Sequence, residues 1–171
     1  MTDHPLKAHI AEIPDFPAPG VLFRDISPLL RDRFPQTMDA MAGLFTDAEV
    51  GGIDAVAGMD ARGFVFAGAL AQRWGKGLVM IRKSGKLPPP VVGASYALEY
   101  AASHMEVQPG SGRVLLVDDL VATGGTLTAA ADLLTEAGYA VAAIAALIDL
   151  TFLNDFAWRG MRARSVVQYD A

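Results

Sequence analysis

Thirteen residues, Val114 to Thr126 (VLLVDDLVATGGT), constrain this chain more than any other stretch. They open with Val114-Leu115-Leu116-Val117, an apolar β-favouring run of the kind buried on both faces of a sheet. Two adjacent carboxylates, Asp118 and Asp119, follow where that strand is expected to end. A loop of small residues, Ala122-Thr123-Gly124-Gly125-Thr126, then leads into a helix expected to stop at Gly138. Strand, glycine turn and helix start make an anion site, because backbone N–H groups converge there with the positive end of the helix dipole. Glycine lets the backbone approach a phosphate, so bulk at Gly124 is expected to fill the phosphate's place, and Thr123 and Thr126 can add hydroxyl donors. A plain helix cap would use the same small residues. The carboxylate pair fits that alternative less well, since a second charge is a costly way to end a strand whereas two acceptors suit a vicinal diol such as a ribose.

The commoner nucleotide motifs are missing: Gly85-Lys86 is followed by Leu87 rather than completing a P-loop, and no G-x-G-x-x-G follows a strand. The stretch instead resembles the phosphoribosyl diphosphate (PRPP) signature of the type I phosphoribosyltransferases. In that family the acids meet the ribose hydroxyls and the loop holds the 5′-phosphate. Such a signature identifies the sugar donor and leaves the acceptor open.

Chain-wide properties narrow the field. At 171 residues with 52% hydrophobic and 19% charged side chains, one globular domain over 1–171 is expected. A net charge of −5 argues against general nucleic-acid binding. There is no cysteine for a disulfide or thiolate metal site, and His4, His9 and His104 form no ligand cluster with nearby acids. No signal-like segment opens the chain and no apolar run reaches membrane-spanning length, so a cytoplasmic location without a membrane partner is expected.

In chain order, residues 3–13 are expected to form a short helix stopped by Pro14. FPAPGVLFRDISPLL (Phe16 to Leu30) resembles the N-terminal segment of adenine phosphoribosyltransferases. Alone, Phe23 reads as core and Arg24-Asp25 as a surface pair. The resemblance implies a hood, from about 1–33 plus part of the C-terminal region. In it Phe23 stacks on adenine and backbone groups at Val21, Phe23 and Arg24 read the base edge. A helix over 35–48 and a strand over 53–58 follow from periodicity. The strand leads to Met59-Asp60-Ala61-Arg62-Gly63-Phe64 and a helix stopped by Gly75. Alone, Arg62 is a solvated helix-start residue or pairs with Asp60. The G-x-D-x-R-G-F resemblance instead implies pyrophosphate binding at Asp60, Ala61 and Arg62, with a strained or cis peptide near Ala61.

Strand 77–81 delivers Arg82 and Lys83, surface charge on their own; by the resemblance they join Lys86 in holding the diphosphate. Residues 84–95 lack periodicity, and the segment from about 83 to 100 is expected to be a lid. Alternation over 94–100 and 104–108 predicts a hairpin. Glu99 reads alone as a solvated strand residue, but KLPPPVVGASYALEY resembles the adenine enzymes' lid, in which the glutamate faces the purine and Tyr100 belongs to the lid. Residues 140–150 predict a buried strand, after which Leu150 matches the family leucine that closes the other face of the base. Asp149 stands where the family has glutamate and is given no role. Residues 151–162 depart most from the family pattern, and 165–169 predict a last strand.

The resemblance spans about Ile13 to Leu150. It implies an α/β type I phosphoribosyltransferase fold, with a five-stranded mainly parallel sheet flanked by helices and a small hood. The implied reaction converts adenine and PRPP to AMP and pyrophosphate. Glu99, Arg62 and Lys86 are then the catalytic side chains, Mg²⁺ arrives with PRPP rather than on a protein site, and the molecule is a homodimer. A phosphoribosyltransferase for another purine, or a non-catalytic PRPP-binding regulator, is the alternative.

Overall fold

The computed structural model describes residues 4–98 and 101–171, with side chains described at all of these except 95–98 and 101–103. Its main sheet has the order β5-β6-β4-β3-β7-β8-β9. The strands are β3 (Ala55–Met59), β4 (Gly77–Lys83), β5 (Val92–Leu98), β6 (Ala101–Val107), β7 (Gly112–Val121), β8 (Tyr139–Leu150) and β9 (Arg164–Tyr169). Five of them, β4-β3-β7-β8-β9, pair in parallel. The sheet therefore has seven strands where five were expected. The difference is the antiparallel β5–β6 hairpin, which adds to the edge of β4 opposite β3, where β6 pairs with Arg82 and Lys83.

Period-two alternation divides the core between the two faces of the sheet. Val56, Leu115, Val117, Ala145 and Leu147 pack under α1 (Ser27–Ala42) and α3 (Gly63–Trp74). Ala57, Leu116, Ile144 and Ala146 pack under α4 (Gly125–Glu136). Leu133 and Leu134 of α4 and Leu70 of α3 are almost wholly buried, each contributing roughly 1.5–3 kcal/mol. Gly75 ends α3 in the left-handed region (φ 63°), its N–H reaching the carbonyls of Ala71 and Gln72, as a glycine stop requires.

The N-terminal expectations need correction. Residues 5–9 form a short 3₁₀ helix, and Ala11–Pro14 is a strand, β1, rather than the rest of a helix. Leu6 and Ile10 do share a buried face at helical spacing, but Ile10 turns extended (φ −94°, ψ 118°) and the chain pairs antiparallel with β2 (Leu22–Asp25). Tertiary pairing overrides the local pattern. Helix α1 begins at Ser27 rather than Pro35, with Pro28 at its first turn, where a missing N–H costs nothing. Pro35 lies inside α1, and the backbone leaves helical geometry at Arg33 (φ −138°, ψ 24°). After α1, Thr46 and Glu49 form a capping box for the five-residue α2 (Asp47–Gly51).

Candidate active site at the strand ends

The carboxyl ends of β3, β4 and β7 meet in a cleft of about 280 Å³, also walled by His104, Met105 and Thr126. Ligands of open α/β sheets occupy this position. From the expected set the cleft brings together Asp60, Ala61, Arg62, Arg82, Lys83, Asp118, Asp119 and Thr126. After β3 the Asp60–Ala61 peptide bond is cis, and the Asp60 N–H donates to the Ile81 carbonyl (2.9 Å). Arg62 caps α3 and places its guanidinium 2.8 Å from Asp119 Oδ2. Arg82 Nε lies 3.3 Å from Asp60 Oδ2, and its Nη1 donates to the Lys86 carbonyl (3.3 Å).

Three elements are held in register here by missing side chains. A Cβ on Gly58 would sit 2.6 Å from the Ala67 Cβ and 2.8 Å from the Gly63 carbonyl. A Cβ on Gly63 would sit 3.0 Å from Asp118 Oδ1 and from the Val117 carbonyl. α3 thus lies directly on β3 and β7.

The two acids were expected to end their strand; they lie inside β7, which continues to Val121. Asp118 pairs across to Ala146, and ladder pairing runs on to Val121↔Asp149 because β8 is long enough to support it. Burial, then the neighbouring Asp119 charge, pushes the Asp118 carboxyl well above the usual carboxylate range. Burial also raises Asp119, against the pull of Arg62.

Ala122, Thr123 and Gly124 form the turn into α4, which starts at Gly125, with Gly124 at φ 84°. A side chain at Gly124 would not enter a phosphate cradle as expected: its Cβ would lie 2.4 Å from Phe156 Cδ2. Lys86 stands outside the cleft with an exposed side chain, while its backbone N–H and that of Leu87 donate to Glu106 Oε1 (2.8 and 2.7 Å). Glu106 is buried on β6, and the backbone donors of Gly85 and Leu87 hold its carboxyl below the usual range. It went unnoticed in the sequence, where an acid between Met105 and Val107 was its one signal.

In the hood, Arg62 lies over the Phe23 ring (5.4 Å), and Phe16 meets Phe23 edge-on (5.1 Å). Val21 is partly exposed, and its carbonyl accepts from the Phe16 N–H (3.2 Å). Leu150 is buried at the end of β8. The Arg24 side chain turns away from the cleft, pairing with Glu12 (3.0 Å) and lying over the Tyr169 ring (4.1 Å), so it fastens β1–β2 to β9. Glu99 and Tyr100 lie outside the described residues.

Fold and cleft together define a phosphoribosyltransferase: residues 35–151 match the family model described as phosphoribosyl transferase domain. An adenine phosphoribosyltransferase from Hydrogenovibrio crunogenus is 49% identical over 171 residues, covering 99% of each chain. The crystal structure of the enzyme of that name from Thermoanaerobacter pseudethanolicus superposes with a TM-score of 0.83 at 39% identity, covering 96% of this chain and 98% of its own. The Saccharomyces cerevisiae enzyme, complexed with adenine and an imino-altritol bisphosphate, gives a TM-score of 0.85 at 32% identity, covering 95% and 96%. The chain belongs to the adenine phosphoribosyltransferase family.

Proposed function

We propose that this chain joins adenine to the ribose of PRPP, giving AMP and releasing pyrophosphate. The observation that carries this reading is the layout of the cleft: Arg62, Arg82 and Lys83 beside Asp118 and Asp119, with the Phe23 ring next to Arg62. As pyrophosphate leaves, the anomeric carbon takes on oxocarbenium character. The protein's work is then to hold the sugar, neutralise the leaving group and align the base. Asp118 and Asp119 accept from the ribose hydroxyls, and Ala122 to Thr126 cradle the 5′-phosphate at the start of α4. The diphosphate falls to Asp60, Ala61, Arg62, Arg82 and Lys83, with Lys86 supplied from the lid. In this role Arg62 exchanges Asp119 for phosphate oxygens, and Arg82 exchanges Asp60. Phe23 and Leu150 enclose the base, and backbone groups at Val21 to Arg24 read its edge. Glu99 exchanges the purine proton, and Tyr100 moves with the lid.

Among the described residues no group of three His, Asp or Glu side chains is arranged to hold a metal. Mg²⁺ is taken to arrive with PRPP, held by its oxygens and water. When bound, the ion supplies further positive charge to the diphosphate. A homodimer is supported by exposed apolar residues, Leu78 and Met80 on β4, the strand that ends in Arg82 and Lys83, and Val65 on α3. A cytoplasmic location, with no nucleic-acid or membrane partner, completes the reading. The net charge of −5 opposes a polyanion, and no helix among the described residues is long and apolar enough to cross a membrane.

The deciding assay supplies PRPP with adenine, guanine, hypoxanthine or xanthine in turn. AMP formation from adenine, with the others turned over at least a hundredfold more slowly, is expected, because a site that hydrogen-bonds the base rejects mismatched edges strongly. Equal use of hypoxanthine overturns the assignment. Stacking and edge recognition are separable. Phe23→Ala is expected to weaken adenine binding by roughly tenfold to a hundredfold, the worth of one stacked base. Both purines are flat, so its preference for adenine over hypoxanthine should stay within about threefold of the parent's, fixed by backbone hydrogen bonds. Competition of the two bases in the variant measures this, and equal acceptance of both would place specificity in the ring.

A further inference from the structure

We propose that Asn154 is a positioning residue for the phosphate loop, setting from behind the direction of the backbone N–H groups that meet the 5′-phosphate. The inference rests on the assignment of Ala122 to Thr126 as that loop. The β7–β8 ladder makes its last pairing at Val121↔Asp149. The next carbonyl after β7, that of Ala122, has passed the end of the sheet. Asn154 Nδ2 donates to it at 2.7 Å, and lies 2.9 Å from the Leu150 carbonyl and 3.1 Å from Asp149 Oδ1. One side-chain amide thus extends the ladder by a rung, joining the entry of the loop to the end of β8.

The other half of the amide acts on the same loop. Asn154 Oδ1 accepts from the Phe156 N–H at 2.9 Å, and the Phe156 ring lies against Gly124 so closely that a Cβ there would fall 2.4 Å from Cδ2. The loop is therefore gripped at Ala122 and backed at Gly124 from one short segment. That segment is itself anchored: Thr151 N–H donates to the Tyr169 carbonyl (3.0 Å), and Trp158 Nε1 donates to Asp132 Oδ1 on α4 (2.9 Å). Neither Asn154 nor Phe156 lines the cleft. Asn154 acts through the loop and should govern the affinity of the phosphate-bearing substrate rather than the chemical step.

The test compares the parent with Asn154→Ala and Asn154→Asp in PRPP titration calorimetry, in steady-state kinetics with each substrate varied, and in thermal melts. Asn154→Ala is expected to raise the Kd and KM for PRPP roughly tenfold, the scale of one lost buried hydrogen bond, leaving kcat and the adenine KM within about threefold. Asn154→Asp keeps the acceptor for Phe156 but has no N–H for Ala122, and turns a carboxylate toward Asp149. It should not restore PRPP affinity. An unchanged PRPP Kd in Asn154→Ala overturns the proposal, as does recovery in Asn154→Asp, which would reduce Asn154 to a support for the Phe156 turn. So does a fall in kcat and both affinities in step with melting temperature. If Asn154→Ala does not fold, Asn154→Ser decides by the same split, since its shorter hydroxyl cannot span to Ala122. A parent that fails to bind PRPP sinks the function reading itself, whereas a binding parent with an indifferent variant sinks only this inference.

Discussion

Asp118→Asn is expected to melt at a higher temperature than the parent at pH 8 and yet to bind PRPP about a hundredfold more weakly, the loss of one hydrogen bond to a charged acceptor being enough. The first half follows from the direction of the Asp118 shift. Burial and the Asp119 charge raise its carboxyl in the folded protein, so the native state holds this proton more tightly than the unfolded chain. Unfolding stability then falls as pH rises from the ordinary carboxylate value through the folded one, and above that an ionised, buried neighbour of Asp119 is a standing cost. A neutral amide of the same shape removes it. The gain should shrink as pH is lowered toward the ordinary value, where the parent's own Asp118 is neutral. The second half follows from the ribose role, because the amide offers one acceptor oxygen where the carboxylate offers two. Melting curves at pH 5 and pH 8, with PRPP titration, measure both halves. A variant less stable than the parent at pH 8 would refute the electrostatic account, and unchanged PRPP affinity would refute the ribose role.

Thr123→Asp is expected to lose PRPP binding by about a thousandfold while melting within a few degrees of the parent. Thr123 is exposed in the loop, so the fold gains no buried charge. A carboxylate about 4 Å from a phosphate costs roughly 4 kcal/mol at an effective dielectric near 20, close to three powers of ten in affinity. Titration with PRPP reads the loss, and affinity within threefold of the parent would remove the phosphate from this loop. Gly124→Val is not an equivalent probe. It would strain a left-handed residue and collide with Phe156, so its effect would pass through the loop's backing rather than its phosphate face.

What the sequence disclosed, and what it concealed, divides by the range of the interaction. The apolar runs of β7 and β8, and the stops at Gly75 and Gly138, are properties of a few adjacent residues and were legible as such. So were the strand-end motifs that meet in the cleft, because each is contiguous and the parallel topology brings the ends together. Residues 3–13 misled because Leu6 and Ile10 have helical spacing while Ala11–Pro14 answers to a strand partner beyond the intervening turn, Leu22–Asp25. The Arg24 side chain was not legible: read alone it belonged to a surface pair, but it is buried against a ring at the far end of the chain, Tyr169. Asn154 and Phe156 gave no sign at all, since an asparagine in an irregular segment means nothing until the carbonyl it faces is known. The hairpin was legible, but its addition to the sheet was not, because it rests on Arg82 and Lys83 pairing with Glu106 and Met105, residues far apart in the chain.

The bare contacts at Gly58 and Gly63 bear on how such a cleft can change over generations. With α3 resting on β3 and β7 backbone to backbone, the spacing between Arg62 and the acids of β7 is set by atoms that are not there. A carbon added at Gly58 would fall 2.6 Å from the Ala67 Cβ and one at Gly63 3.0 Å from the Val117 carbonyl, so either would press the helix away from the sheet and act on every substrate at once. On the proposed roles of Arg62 and the β7 acids, sugar and diphosphate recognition is a frozen dimension of this architecture. Variation in what the protein accepts has to accumulate in the parts that do not share this seam, the β1–β2 hood and the segment after β8. Laboratory selection for a new base should therefore return mutations there and leave Gly58 and Gly63 untouched.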